Sequence, residues 1–428
     1  MASRTMTQQY YSRGLRARFM ADGIRAEQAK IDAAAPCYAD IGYAIDEKKY
    51  LARVKARTEA GGLPTEVPAG WPTKLEGPLL WSSDSFQDES EYVYTLTDAD
   101  KTELLAALKT FKAHGLAPTK VTKEMFPLPN LGKHLLAMCD DIYIGKGFGI
   151  VRGLDPEDYT LMDLTSIYLG ISSYIAETRG KQDQRGSMLI HVIKRNGDAS
   201  DAFDAEYGSD KPFHTDTVTD TLCLFAQSLA AAGGRSILAS AYTVYNELAA
   251  TRPDLIHTLA APDWPFDTFG RDPAYYRRAC MYYHDNNLIT AFSRRLLVGN
   301  APFSTRTEGI PGLTEAQAEA LDAIHFIARK HEISPRMVKG DIRFVNNMAL
   351  LHRREAFENP KGEDAAKGRH LVRVWLHNEE MCWKLPQALR LAWARVFEDD
   401  DGDREEHWDY APVRGEGGRI LRTGGSCD

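Results

Sequence analysis

The chain has 428 residues, is 43% hydrophobic and carries a net charge of −8. That apolar content excludes a disordered chain and allows one large domain with additions, or two ordinary ones. The acidic balance, without a cluster of Lys and Arg, excludes nucleic acid as the main partner, and six scattered cysteines with no CxxC pair exclude a disulfide scaffold.

From the N-terminus, Arg4, Arg13, Arg16 and Arg18 precede the first acid, Asp22. Transit peptides share that composition, so a mitochondrial destination is the lesser alternative to a reducing cytoplasm. Residues 1 to about 60 read as surface helices, ended by "GGLPTEVPAGWP". In "TLTDADKTELLAALKTFKAHG" a helix capped at Thr97 or Asp98 lines one face with Leu104, Leu108 and Phe111 and stops at Gly115. From about residue 146 short β-rich runs recur: "GFGIVRGL", "SMLIHVIKR", "TLCLFAQS", "RSILAS", "NLITAFS", "DIRFVNNMALLH" and "RHLVRVWLH". They predict an α+β fold with a mainly β core, a sandwich or jelly roll with flanking helices, rather than a parallel α/β sheet. Helices interrupt them at "DYTLMDLTSIYLGISSYIAETRG" and at "TEAQAEALDAIHFIARKHEI", the second with a Thr314/Gln317 capping box. The longest apolar run, Leu222 to Ala232, is broken by Gln227 and Ser228 and falls short of the roughly 20 residues of a membrane helix. Three parts follow: an N-terminal helical extension over 1–90, a core domain over 91–400 with a helical insert at about 300–335, and an acidic, Gly-rich tail over 401–428.

The chemistry centres on "KPFHTDTVTD". On a strand His214 and Asp216, two residues apart, point to one side, so an imidazole and a carboxylate converge. The His-x-acid pattern alone is weak, since His377-Asn378-Glu379 and His407-Trp408-Asp409 repeat it. A facial triad of two histidines and one carboxylate needs a third ligand from a distant strand and leaves positions on Fe(II) open for a chelating cosubstrate and O2. After His214 and Asp216 such a ligand exists in His352, at the end of an apolar run. Beyond it, Arg369 and Arg373 in "GRHLVRVWL" share a strand face and offer forks for two carboxylates. Upstream, Gly233 and Gly234 mark a tight backbone approach, and Ser236 starts a strand with a hydroxyl. The bland readings are an ion-paired strand histidine, a satisfied core histidine, and an edge ladder of arginines. His191 reads as structural, and Tyr282, Tyr283, His284 and Asp285 as a polar aromatic cluster, either a loop without a catalytic role or part of a pocket lining.

The ordered set "GFGIVRGLDPEDY", "FHTD", "GGRSILAS", "NNMALLHRREAF" and "GRHLVRVWL" resembles the taurine/2,4-D dioxygenase (TauD/TfdA) family, which includes clavaminate-synthase-like enzymes, over about residues 146–378. The likeness is greatest to fungal biosynthetic members. It implies a double-stranded β-helix in which His214, Asp216 and His352 hold Fe(II), with 2-oxoglutarate and O2 as cosubstrates. It further implies that Arg369 pairs with the C5 carboxylate of 2-oxoglutarate and that Ser236 stands where many relatives have threonine. Arg373 then meets an acidic group of the substrate, and Phe213 is assigned to the substrate pocket with it. The expected activity is oxidation of an unactivated C–H bond of a small carboxylate-bearing substrate such as an amino acid, by hydroxylation, desaturation or ring closure, in secondary metabolism. The competing readings are a catalytically inactive metal-binding β-helix and an iron oxidase that needs no 2-oxoglutarate; no membrane partner is expected, and a homo-oligomer is allowed.

Overall fold

A computed structural model of the chain describes residues 38–183, 185–193, 209–269, 273–301, 304–359, 368–398 and 404–413. The arginine-rich start, most of "ENPKGEDAAKG" and the Gly-rich end lie outside the described residues.

Helix α1 (Glu47–Ala60) starts at Asp46, whose carboxylate accepts from Lys49 N at 3.1 Å. Strand β1 (Val93–Thr95) leads into α2 (Asp98–Ala113), where Thr97 and Asp100 form a capping box and Leu104, Leu108 and Phe111 are buried together, as the spacing predicts. Then come α3 (Leu131–Tyr143), β2 (Phe148–Arg152), α4 (Leu161–Ser172), β3 (Thr178–Arg179), β4 (Ile190–Ile193), β5 (Thr221–Ser228), β6 (Ala232–Gly233) and β7 (Ser236–Ser240). The run "AYTVYNEL" after β7 turns into helix α5 (Ala241–Thr251), because the Ser240 hydroxyl accepts from both Tyr242 N and Thr243 N. Helix α6 (Pro253–Ala260) and strands β8 (Trp264–Asp267) and β9 (Tyr275–Arg278) follow. The polar aromatic stretch is a hairpin, β10 (Met281–His284) with β11 (Asn287–Thr290), turned by Asp285 and Asn286 at φ 49° and 63°. Helix α7 (Arg294–Val298) precedes α8 (Glu315–His331), which has the expected Thr314/Gln317 box. The chain closes with β12 (Ile342–Asn346), β13 (Leu350–Arg354), β14 (Phe357–Glu358), β15 (His370–His377) and α9 (Gln387–Phe397).

Among the described residues seven strands form the main sheet, in the order β1-β2-β12-β5-β15-β3, with β4 also on β15. All its pairs are antiparallel except β1 with β2. Alternation along β15 separates two faces. Val372, Val374 and Leu376 enter one core with Phe111, Ile142 and Tyr168 beneath α2, α3 and α4. Trp375 enters a second core with Leu238, Leu350 and Ile324, contributed by the facing pair β7–β13 and by α8. The site lies on this second face.

One expected strand, "DIRFVNNMALLH", is two. Asn346 accepts from Met348 N and Ala349 N at 3.1 and 3.2 Å, which turns the chain out of the main sheet and into the facing pair. The N-terminal segment is stitched to the domain: Arg53 reaches Glu315 and Asp322 at 2.9 and 3.0 Å, and Leu75, Leu79 and Trp81 belong to the second core. Among the described residues no helix is long and apolar enough to cross a membrane.

Candidate metal and cosubstrate site

The segment before β5 meets β13 in a two-way backbone pair, His214 N to His352 O at 3.0 Å and His352 N to His214 O at 2.9 Å. Residues so paired sit directly opposite and send their side chains to the same face. The two imidazole centroids are therefore 4.4 Å apart. Asp216, two residues on, adds its carboxylate on that face, with Oδ1 at 4.0 Å from His214 Nε2 and 3.5 Å from His352 Nε2. One donor atom from each of His214, Asp216 and His352 lies within 4.8 Å of the others, a grouping able to hold a metal ion.

What surrounds the three orients them. His214 Nδ1 lies 2.9 Å from the Pro212 carbonyl, which can only accept, so Nδ1 carries a proton and Nε2 is the ring atom turned toward Asp216. The other carboxylate oxygen of Asp216, Oδ2, accepts from Trp375 Nε1 at 2.7 Å and lies 2.9 Å from Arg373 Nη1. Oδ2 is thus held from β15 while Oδ1 faces both histidines. Asn347 clamps the backbone, accepting from Asp216 N at 2.8 Å and donating to the Asp216 and Thr219 carbonyls.

The structure also places the two residues expected to meet substrate. Arg373 has its Nη1 on Asp216, and its Nε donates to Gln182 Oε1 at 2.8 Å. It reaches this carboxylate of the protein because the strand that carries it runs alongside the one leaving Asp216. Phe213 adjoins His214 and so points to the opposite side. Its ring packs with His325, centroids 5.7 Å apart, and under Arg353 at 5.4 Å, on the other side of β13 from His352.

Arg369 is buried beside a second positive group. Among the described residues no carboxylate lies within ion-pair distance of its guanidinium, and burial, with Arg354 and Arg343 nearby, pulls its pKa down to about 9. Arg343 itself donates to the carbonyls of Ser236 and Pro335, both at 3.0 Å. Ser236 stands opposite Arg354 at the start of β7. Phe357 lies between two of these cations, 4.8 Å from Arg354 and 5.4 Å from Arg369. Gly234, at φ +72°, runs so close to Arg369 that a Cβ there would come within 3.2 Å of its Cδ and Nε. A buried guanidinium with no carboxylate at ion-pair distance among the described residues suits a bound dicarboxylate. Sequence reading missed Trp375, Asn347, Gln182, Arg343 and Arg354; only Trp375, on the same strand face as Arg373, carried a local hint.

Residues 112–375 match the family model described as taurine catabolism dioxygenase TauD, TfdA family. The chain belongs to that family. A taurine hydroxylase-like protein of Stachybotrys chartarum is 33% identical over 350 residues, 79% of this chain and 89% of the relative. The FR-33289 synthase of Streptomyces rubellomurinus is 26% identical over 315 residues, 71% of this chain and 91% of the relative. Among solved structures, an asparagine oxygenase with Fe(II), 3-hydroxyasparagine and succinate shares the fold at a TM-score of 0.51 and 14% identity, covering 67% of this chain and 93% of its own. As a TauD/TfdA member the protein is an iron- and 2-oxoglutarate-dependent oxygenase.

Proposed function

We propose that this oxygenase oxidises an unactivated C–H bond of a small acid such as an amino acid in secondary metabolism, with His214, Asp216 and His352 as the ligands of Fe(II). The main sheet and the facing strand pairs are the two halves of a double-stranded β-helix within 91–400, and the described part of the N-terminal extension, residues 38–90, packs on it. Arg369 takes the C5 carboxylate of 2-oxoglutarate, with the Ser236 hydroxyl beside it. The observation that carries the reading is the juxtaposition of a converging His/Asp/His group with a buried guanidinium that has no carboxylate partner among the described residues. Bound there, iron with 2-oxoglutarate and O2 supplies the power to take a hydrogen atom from carbon, releasing succinate and CO2.

The chain's own residues do the positioning. Trp375 and Arg373 hold Oδ2 of Asp216, so Oδ1 would be the oxygen available to a bound metal. Arg373 positions Asp216 through Nη1 and is the residue proposed to meet the acid group of the substrate. Support for an amino-acid-like substrate comes from the relatives, one named taurine hydroxylase-like and one an asparagine oxygenase.

The test is a panel of amino acids incubated with the enzyme, Fe(II) and 2-oxoglutarate, read by mass spectrometry. The expected result is succinate release coupled to a product heavier by one oxygen or lighter by two hydrogens. Succinate no higher than in Asp216→Asn would point to an inactive metal-binding protein, and turnover without 2-oxoglutarate to an oxidase of the other kind.

A further inference from the structure

The end of β15 beyond Trp375 carries a second convergence of ligand-type side chains. Asp220, His377 and Cys382 come from three places in the chain, and one donor atom of each lies within 4.8 Å of the others. None of them belongs to the His214/Asp216/His352 group. We propose that Asp220, His377 and Cys382 form a second metal site, for a borderline divalent ion of the zinc type, distinct from the iron site.

The donor set fits that ion. Zinc accepts thiolate, imidazole and carboxylate together, whereas a site for a hard ion such as magnesium would be built from oxygen alone. Asp220 Oδ2 and His377 Nδ1 are joined by a hydrogen bond of 3.1 Å, whose proton a metal ion would replace. Two ligands about 2.0–2.1 Å from a tetrahedral ion stand about 3.3 Å apart, so the pair needs almost no movement to share one.

The surroundings hold each donor in place. Asp220 is buried and its carboxylate accepts from Thr221 N at 2.7 Å, Asn378 N at 3.1 Å and Tyr143 Oη at 3.2 Å. Such contacts fix the direction of a ligating carboxylate. The His377 ring is wedged edge-on against Trp393, centroids 4.7 Å apart. Cys382 is brought back to it by a turn in which Asn378 Oδ1 accepts from Glu380 N and Met381 N, both at 3.0 Å, and Cys382 N donates to Asn378 O at 3.0 Å. Cys382 is half-buried, which leaves an entry path.

The Glu379 carboxylate, which the His-x-acid pattern would have paired with His377, lies on the exposed turn.

Cobalt(II) distinguishes the two sites, because a thiolate ligand gives a sulfur-to-cobalt charge-transfer band in the near ultraviolet and the His214/Asp216/His352 group has no sulfur. The full-length, metal-free protein titrated anaerobically with Co(II) is expected to show that band. Cys382→Ser should lose the band and bind one equivalent of Co(II) fewer, while retaining its circular dichroism. His352→Ala, which disables the first site alone, should keep the band. A wild-type titration without the band overturns the proposal whatever the variants do, as does a band that survives in Cys382→Ser. Loss of activity in His352→Ala bears on the iron reading only, so the two can fail separately.

Discussion

Asp216 is the side chain on which most of the chemistry converges, and its two oxygens have different tasks. Removing the Trp375 N–H while keeping an aromatic ring, as in Trp375→Phe, takes one of two donors from Oδ2, leaves Arg373 as the other, and loosens the carboxylate. We expect Fe(II) affinity to fall by about 10- to 100-fold, the usual consequence of losing such a supporting contact, with the KM for 2-oxoglutarate much less affected; an anaerobic Fe(II) titration measures it. Arg369 has the converse profile. If Arg369 holds the C5 carboxylate of 2-oxoglutarate as proposed, Arg369→Ala removes a charge-assisted hydrogen bond worth about 1.5–3 kcal/mol, so the KM for 2-oxoglutarate should rise by about 10- to 100-fold while Fe(II) affinity holds. Equal loss of iron binding in both variants would contradict this division of labour.

Strand β15 is a shared support for both candidate sites. Its outward residues bind it to the helical layer, and its inward ones, Arg373 and Trp375, reach Asp216, while His377 at its end meets Asp220. Helix α1 is attached by a different device, a pair of arginines set against acids of α8 and α6. Asp322 is 2% exposed and is shared by Arg53 and Arg294, so removing one partner leaves its charge partly compensated. Arg53→Ala should therefore cost about 1–3 kcal/mol, less than the loss of a sole partner to a buried charge. Urea denaturation checks the value, and unchanged Fe(II) affinity checks that the effect is confined to docking. The strand runs and the capped helices were readable in the chain because period and capping are local. The break inside "DIRFVNNMALLH" was not, since an apolar run looks alike whether it stays in one sheet or crosses to another.

The molecule as a whole carries histidines poised in opposite directions. His191, His325 and His370 are held below the ordinary imidazole value by burial, His325 and His370 at about 3. His191 Nε2 lies 2.7 Å from the Asp409 carbonyl and its Nδ1 2.8 Å from His370 Nε2, an arrangement satisfied by two neutral rings. Below pH 6.5 the unfolded chain takes up protons that the folded chain refuses, so stability falls with acidification, by up to about 1.4 kcal/mol per pH unit for each fully buried ring. His377 has the opposite sign: its raised value gives stability that is present below 6.5 and lost as the pH rises through about 9. Thermal unfolding across pH 5 to 9 should show both limbs, with His370→Gln flattening the acid side and His377→Gln the alkaline side. A wild-type profile flat from pH 5 to 9 would contradict both assignments.

The amino-acid sequence alone determined which chemistries are present and on which strand faces they fall. His214 and Asp216 converge, and Arg369 shares a face with Arg373, because a strand repeats every two residues wherever it lies. The ordered motifs were enough to reach the family. Only the tertiary structure decided what each face meets: Arg373 a carboxylate of the protein, Phe213 the core behind β13, and His377 a buried aspartate and a cysteine. Those partners lie in different elements brought together by strand register and burial, and neither leaves a trace in local periodicity.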